Sequence, residues 1–136
     1  MTYTPPTTEQ LFVLKHIANI DAMAQHDRYS EATPDMVEAI VAGIGEFAAD
    51  VYAPLNRVGD VNNPKWDNGK VTMPAGFKEA YAQFVEAGWG SIDGPTEYGG
   101  QGLPFTLAGV VTEELGTANM GFTLCPILSA GAIHAL

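Results

Sequence analysis

Basic residues are scarce in this sequence. Six lysine and arginine residues stand against sixteen aspartate and glutamate residues, which gives a net charge of −10. Binding to nucleic acid or to an anionic membrane surface depends on clustered basic side chains. The composition therefore predicts neither nucleic acid nor a membrane as a partner. The acidic residues are scattered along the chain rather than gathered in a run, which is typical of a solubilising surface.

Cysteine is almost absent, and no secretion signal is visible. The one cysteine, Cys125, lies in the apolar run FTLCPIL with no basic neighbour to activate it, so we expect a small core side chain rather than a nucleophile. The N-terminus, MTYTPPTTEQ, lacks the basic and apolar parts of a signal peptide. These features predict a soluble cytoplasmic protein, and 136 residues suffice for one domain with one core.

Helical periodicity dominates the first half of the chain. A first amphipathic helix is predicted from Thr8-Glu9 through Ile20. The triplet Thr33-Pro34-Asp35 predicts a second helix, because threonine caps free amides and proline suits the first helical position. Pro54 is expected to end or bend this helix. Its buried face is predicted from apolar residues spaced three and four apart: Val37, Ile40, Val41, Ile44, Phe47, Ala48, Val51 and Leu55.

The second half continues in the same way after an irregular stretch. Residues 59–73 have no helical period, and Asp67-Asn68-Gly69 predicts a tight turn in a small hairpin. Pro74 opens a helix that stops near Gly88, with Phe77, Tyr81, Phe84 and Val85 on its predicted buried face. Another helix begins at Pro104 and is expected to be interrupted at Gly116 or Asn119. The predicted fold class is all-α, with four to five helices.

The stretch DGPTEYGGQGLP, residues 93–104, joins two of these helices. It matches neither of the glycine-rich nucleotide motifs, since no lysine lies nearby and no buried strand precedes it. Gly99, Gly100 and Gly102 can adopt positive φ, and Pro104 fixes the entry into the next helix. We therefore interpret it as a structural corner rather than a phosphate site.

No complete catalytic or metal site is present in the sequence. His16, His26 and His134 are not spaced as metal ligands, with each other or with a cysteine. Glu113 and Glu114 are adjacent on a helix and point about 100° apart, so they do not share a site, and at least one is expected to be solvated.

The end of the chain carries no charge. From Leu115 to Leu136 there are 22 residues without a charged side chain, but glycines, Pro126 and Asn119 make this a poor membrane span. Such a segment is expected to be covered, most simply by more of the same polypeptide, as if the chain had been cut. A free-standing helical interaction module and a small lipid-binding bundle are the alternatives.

An ordered set of phrases resembles the N-terminal helical domain of the acyl-CoA dehydrogenases. The phrases are APLNRVGD (53–60), PAGFKEAYAQFVEAGW (74–89), PTEYGGQGLP (95–104) and EELGTANMGF (113–122). The resemblance covers nearly the whole chain, so residues 1–136 would form one such domain. The early segment and APLNRVGD are most similar to the long branch that includes 3-methylmercaptopropionyl-CoA dehydrogenases.

The resemblance implies a flavoprotein that desaturates an acyl-CoA thioester between its α and β carbons. In the family, a β-domain and a second helical domain carry most FAD contacts and the catalytic glutamate, so no residue of this chain is assigned a catalytic role. An acyl-CoA substrate, an electron-transfer flavoprotein and a homo-oligomer are implied as partners. The chain alone is expected to be inactive and to hold no FAD.

The resemblance also implies that the helix pair after the Y-G-G corner supplies one wall of the acyl pocket. The predicted substrate-binding residues are Phe122, Thr123, Pro126 and Ile127. Core packing is the alternative for each of these four side chains. A kink or break is expected at Pro126, because proline lacks the N–H of a helix interior.

Overall fold

The computed structural model describes residues 3–135, and nearly all of its regular structure is helical. Five helices of nine or more residues and one single-turn helix are present among these residues, which confirms the predicted all-α class. The helices are α1 (Thr7–His16), α2 (Ile20–Met23), α3 (Pro34–Phe47), α4 (Ala53–Val61), α5 (Phe77–Glu86) and α6 (Phe105–Ala135). The strands of one hairpin are β1 (Lys65–Asp67) and β2 (Lys70–Thr72).

The N-terminal helices are shorter than the sequence predicts. Helix α1 ends at His16 and buries Leu14, whereas Ile17 beyond it is exposed. Asn19 then adopts a left-handed conformation, with φ of 52°, which α-helical backbone does not allow. Ile20 is buried as the first residue of α2. The predicted single helix through Ile20 is therefore two helices with a sharp turn between them.

Helix α3 begins as predicted. The Oγ1 atom of Thr33 accepts a hydrogen bond from the backbone N–H of Met36 at 3.3 Å, and Pro34 occupies the first helical position. This cap satisfies one of the amides that a helix start leaves free. The buried residues of α3 confirm most of the predicted apolar face: Val37, Ile40, Val41 and Ile44.

The helical path continues through Pro54 and does not end there. One π-helical turn, Ala48–Tyr52, follows α3, and α4 continues directly from it with Pro54 in its first turn. The backbone N–H groups in the first turn of a helix have no intrahelical acceptor. A proline, which lacks this N–H, therefore loses no hydrogen bond there. The chain therefore places Pro54 at a new helix start, directly after the wider π-helical turn. The buried Tyr52 lies at the end of that turn.

The irregular stretch forms the predicted hairpin. Strands β1 and β2 are antiparallel, with Trp66 opposite Val71. Asn68 and Gly69 both have positive φ, of 46° and 82°, as a two-residue hairpin turn requires. Every residue of both strands is exposed, so the hairpin lies outside the core.

Helix α5 buries a narrower face than expected. Phe77 and Phe84 are buried, and Ala80 lies between them on the same face. Tyr81 and Val85 are exposed, so the prediction that all four large residues of this helix are buried is wrong for these two. An apolar side chain at helical spacing can lie on the flank of the stripe, where its helix contacts solvent.

Helix α6 consists of two halves that meet at Asn119. The backbone of Asn119 has φ of −159° and ψ of 84°, which confirms the predicted interruption at this residue. The first half of α6 (105–118) and the second half (120–135) are otherwise helical. Pro126 does not interrupt the second half, so the break expected there is wrong. The interruption lies instead at Asn119, whose side chain can cap a new helix start. Leu136, the last residue of the charge-free segment, lies outside the described residues.

One carboxylate is fully buried beneath the N-terminal segment. Glu114 accepts a hydrogen bond from the hydroxyl of Tyr3, and Glu113 beside it is exposed. The two glutamates therefore do not share a site, as predicted. Burial is the main reason that the pKa of Tyr3 is raised, and the hydrogen bond to Glu114 adds to it. Gly45 of α3 admits this segment, because a Cβ there would lie 2.9 Å from the Pro5 side chain.

Candidate functional site

The glycine-rich corner is a closed loop held by its own backbone. The N–H of Gly102 donates to the carbonyl of Gly94 at 2.9 Å, and the N–H of Leu103 donates to the carbonyl of Ile92 at 3.0 Å. Gly99 and Gly102 have the expected positive φ, but Gly100 does not. Gly100 is needed for a different reason, because a Cβ there would lie 2.2 Å from the Gly94 backbone. The 3₁₀ turn Trp89–Ser91, just before the corner, packs against α6.

A broad depression, the outer groove, lies between this corner and the end of α6. It encloses about 810 Å³. Nε2 of His134 lies 2.9 Å from a carboxylate oxygen of Asp93, which ties the last turns of α6 to the corner. The other lining residues are mainly glycines and aromatic side chains, with one cation: Arg28, Tyr29, Gly90, Ser91, Gly94, Pro95, Tyr98, Gly99, Gly100, Leu103, Phe105, Ala130 and Ile133.

A smaller space, the inner cavity, lies in the angle between the two halves of α6. It has a volume of about 60 Å³. Residues from both halves of α6 line it, together with residues from α5 and from the 3₁₀ turn Trp89–Ser91. The lining is mostly apolar: Phe84, Trp89, Gly90, Ile92, Asp93, Ala108, Val111, Thr112, Leu115, Thr123, Pro126, Ile127 and Ala130.

Three of the four predicted substrate-binding residues line the inner cavity. Thr123, Pro126 and Ile127 follow one face of the second half of α6 and meet there. Phe122 does not line the inner cavity. Its ring stacks on Phe77 with centroids 5.0 Å apart and lies 4.4 Å from the Tyr52 ring, so Phe122 packs in the core.

Asn119 sets the angle between the two halves of α6. Its Oδ1 accepts a hydrogen bond from the N–H of Phe122 at 3.1 Å, which caps the second half. Its Nδ2 donates to the Tyr52 carbonyl at 3.2 Å, which ties the junction to the π-helical turn. Asn119 is buried, so these bonds are shielded from water. The position of the inner cavity therefore depends on this one side chain.

The hydroxyl groups that line the inner cavity already have backbone partners. Thr123 donates to the carbonyl of Asn119 at 3.0 Å, and Thr112 donates to the carbonyl of Ala108 at 2.9 Å. Their methyl groups are then the parts left to contact a ligand. With these hydroxyls engaged the lining is mostly apolar, which favours an apolar occupant, although the indole N–H of Trp89 has no partner among residues 3–135.

Sequence reasoning missed several residues of this site. Trp89 lies in a single 3₁₀ turn and so belongs to no periodic pattern. Ala108 and Ala130 carry no chemical signal in the sequence. Phe84 was expected only in the core, where it also packs. The prediction for Cys125 was wrong, since its side chain is exposed rather than part of the core.

The inner cavity is mainly a binding surface, and the carboxylate in its lining, Asp93, is engaged by His134. No three acidic, histidine or cysteine residues within 3–135 converge as a metal site. Burial raises the pKa of Tyr52, and its hydroxyl has no hydrogen-bond partner within the described part of the chain. A phenol held protonated in the core is a poor acid or base at neutral pH. In the part of the chain that the structure describes, no helix is both long enough and apolar enough to span a bilayer.

The described residues do not fit a complete flavin site. A dinucleotide diphosphate needs several backbone amides or cations directed at one place. The outer groove carries one arginine, Arg28, and its histidine is already engaged by Asp93. A single cation beside a carboxylate does not match a diphosphate, so no chemical step through a flavin is derived from these residues.

Comparison with known proteins agrees with this architecture. Residues 33–136 match the model of the acyl-CoA dehydrogenase N-terminal domain. The chain is 39% identical over 136 residues to 3-methylmercaptopropionyl-CoA dehydrogenase of Ruegeria pomeroyi, which covers all of this chain and 23% of that protein. It is 25% identical over 119 residues to the broad-specificity linear acyl-CoA dehydrogenase FadE5 of Mycobacterium tuberculosis, covering 86% of this chain and 20% of that protein.

These matches confirm the resemblance that the sequence phrases indicate, including the likeness to the 3-methylmercaptopropionyl-CoA branch. The chain spans between a fifth and a quarter of the length of these curated relatives. The chain belongs to the acyl-CoA dehydrogenase family, and residues 33–136 form its N-terminal domain.

Proposed function

We propose that residues 1–136 are the N-terminal helical domain of an FAD-dependent acyl-CoA dehydrogenase whose substrate is 3-methylthiopropanoyl-CoA. The family match and the 39% identity to a 3-methylmercaptopropionyl-CoA dehydrogenase support the reaction class and the substrate. In this proposal the enzyme removes two hydrogens across the α and β carbons of the acyl group, and the domain binds the acyl chain without contributing a catalytic residue.

The inner cavity is the observation that carries this proposal. Thr123, Pro126 and Ile127 present a continuous apolar surface beside it, with Ile127 partly exposed. An acyl chain laid along this surface exchanges contact with water for contact with apolar side chains, at about 25 cal/mol per Å² of buried area. The domain thereby orients the acyl chain, and the polar chemistry takes place on other parts of the complete enzyme.

The remaining parts of the proposal concern the complete polypeptide. A β-domain and a C-terminal helical domain would follow residue 136, and they would supply most FAD contacts and the catalytic glutamate. They would also cover the apolar side chains that the second half of α6 exposes: Leu124, Ile127, Leu128 and Ile133. An electron-transfer flavoprotein would reoxidise the enzyme, which would be a homo-oligomer in the cytoplasm.

Anaerobic spectroscopy of the complete polypeptide tests this function. The purified protein should be yellow, and 3-methylthiopropanoyl-CoA should bleach the flavin band within the time of mixing. Free 3-methylthiopropanoate should leave the band unchanged, because it lacks the thioester that acidifies the α carbon. A colourless protein, or a yellow one that no acyl-CoA bleaches, would contradict the proposal.

A further inference from the structure

The lining of the inner cavity includes both exposed and buried side chains. Ile127 is 42% exposed, whereas Phe84, Val111 and Leu115 are all less than 10% exposed. Trp89, which is half-buried, also lines the cavity. A ligand in this cavity therefore meets two aromatic rings within a space of about 60 Å³.

Both aromatic rings are fixed in place by glycines. A Cβ on Gly90 would lie 3.0 Å from the Phe84 ring, and a Cβ on Gly43 would lie 3.3 Å from the Trp89 ring. The Phe84 ring therefore packs directly against the backbone at Gly90, and the Trp89 ring packs directly against the backbone of α3 at Gly43. The Trp89 ring also lies 6.2 Å from the Phe47 ring. Close-packed rings of this kind do not move aside without loss of packing energy.

The volume limits what can fit against these rings. About 60 Å³ is roughly twice the share of volume that one water occupies in the liquid, ≈ 30 Å³. The part of an acyl chain that fits this volume is a terminal methyl or methylthio group with little more of the chain. Each methylene that does not fit an apolar pocket reduces the specificity constant by roughly 10- to 200-fold.

We infer that Trp89 and Phe84 are specificity-determining residues, which limit the enzyme to short acyl groups by restricting the space that receives the end of the chain. This inference rests on the proposed function and adds to it a limit on the size of the acyl group. Ala108 also lines the cavity, so a larger side chain at this position would reduce the same space.

Two variants of the complete enzyme change this space in opposite directions. Trp89→Phe shortens this part of the lining and removes an indole N–H that has no partner among the described residues, so we expect it to fold. It should raise the ratio of kcat/KM for hexanoyl-CoA to kcat/KM for butanoyl-CoA about tenfold. Ala108→Leu extends into the cavity and should lower the same ratio about tenfold.

Phe105→Leu is the matched control. Phe105 lies on α6 and lines the outer groove but not the inner cavity, so its replacement should leave the ratio unchanged. An unchanged ratio in both cavity variants would overturn the inference, as would a ratio that responds to Phe105→Leu instead. Failure of every acyl-CoA to reduce the flavin of the unmodified enzyme would overturn the proposed function itself. If Trp89→Phe does not fold, the response of Ala108→Leu decides the inference.

Discussion

The two halves of α6 have similar composition and opposite burial. The first half turns Leu107, Val110, Val111 and Leu115 into the core, whereas the second half exposes Leu124, Ile127, Leu128 and Ile133. Both halves are rich in apolar residues, and only the first carries acidic side chains. Apolar composition thus predicts that a surface will be buried by something, but it does not show whether the partner lies within the same domain.

Replacing one buried and one exposed leucine of α6 with alanine tests this difference in burial most strongly. Leu107 is 0% exposed and Leu128 is 75% exposed. Leu107→Ala should lower the free energy of unfolding of the 136-residue chain by roughly 3 to 5 kcal/mol, because it leaves a cavity in the core. Leu128→Ala should change it by less than about 0.5 kcal/mol. Urea denaturation followed by tryptophan fluorescence measures both values, and similar losses in the two variants would show that the second half is packed as tightly as the first.

Substitutions at the junction between the two halves should cause the next largest loss of unfolding free energy. Asn119→Ala removes a helix cap and leaves the Tyr52 carbonyl without its Asn119 partner, which together should cost about 2 kcal/mol of unfolding free energy. Asn119→Ser keeps a neutral cap acceptor and loses only the bond to the Tyr52 carbonyl, so it should cost about half as much. Equal losses in these two variants, again in urea denaturation, would mean that the cap does not stabilise the junction.

Local signals explain which parts of the fold could be predicted. The cap at Thr33, the proline after it and the turn at Asn68-Gly69 each depend on a few neighbouring residues, and all three are present. The interruption predicted at Gly116 or Asn119 lies at Asn119, whose side chain bonds to the backbone of Phe122. These features need no knowledge of the rest of the molecule.

The sequence-based predictions are wrong where contacts between residues far apart in the sequence determine the structure. Pro126 remains within a helix, and the interruption lies seven residues earlier, at Asn119, whose side chain bonds both within α6 and to the distant π-helical turn. Cys125 and Tyr81 look like core residues in sequence, but the elements that carry them turn those positions outward. Helical period fixes which residues share a face, and it does not fix how wide the buried part of that face is.

One part of the candidate site could be predicted from a local phrase in the sequence, and the other part could not. Thr123, Pro126 and Ile127 follow directly from the position of the E-E-L-G phrase, and they do line one cavity. The facing residues, Trp89 and Ala108, come from a turn and from the first half of α6. Only the angle set at Asn119 brings them together, so no local pattern could have indicated them.

The acyl preference of an Ile127 variant tests the central claim most directly. Ile127 is partly exposed in this domain, so Ile127→Phe should change the stability little. In the complete enzyme it should narrow the inner cavity and lower kcat/KM for hexanoyl-CoA about tenfold more than for propanoyl-CoA. A loss that is equal for all acyl lengths, or no loss at all, would contradict the claim that the second half of α6 forms a wall of the acyl pocket.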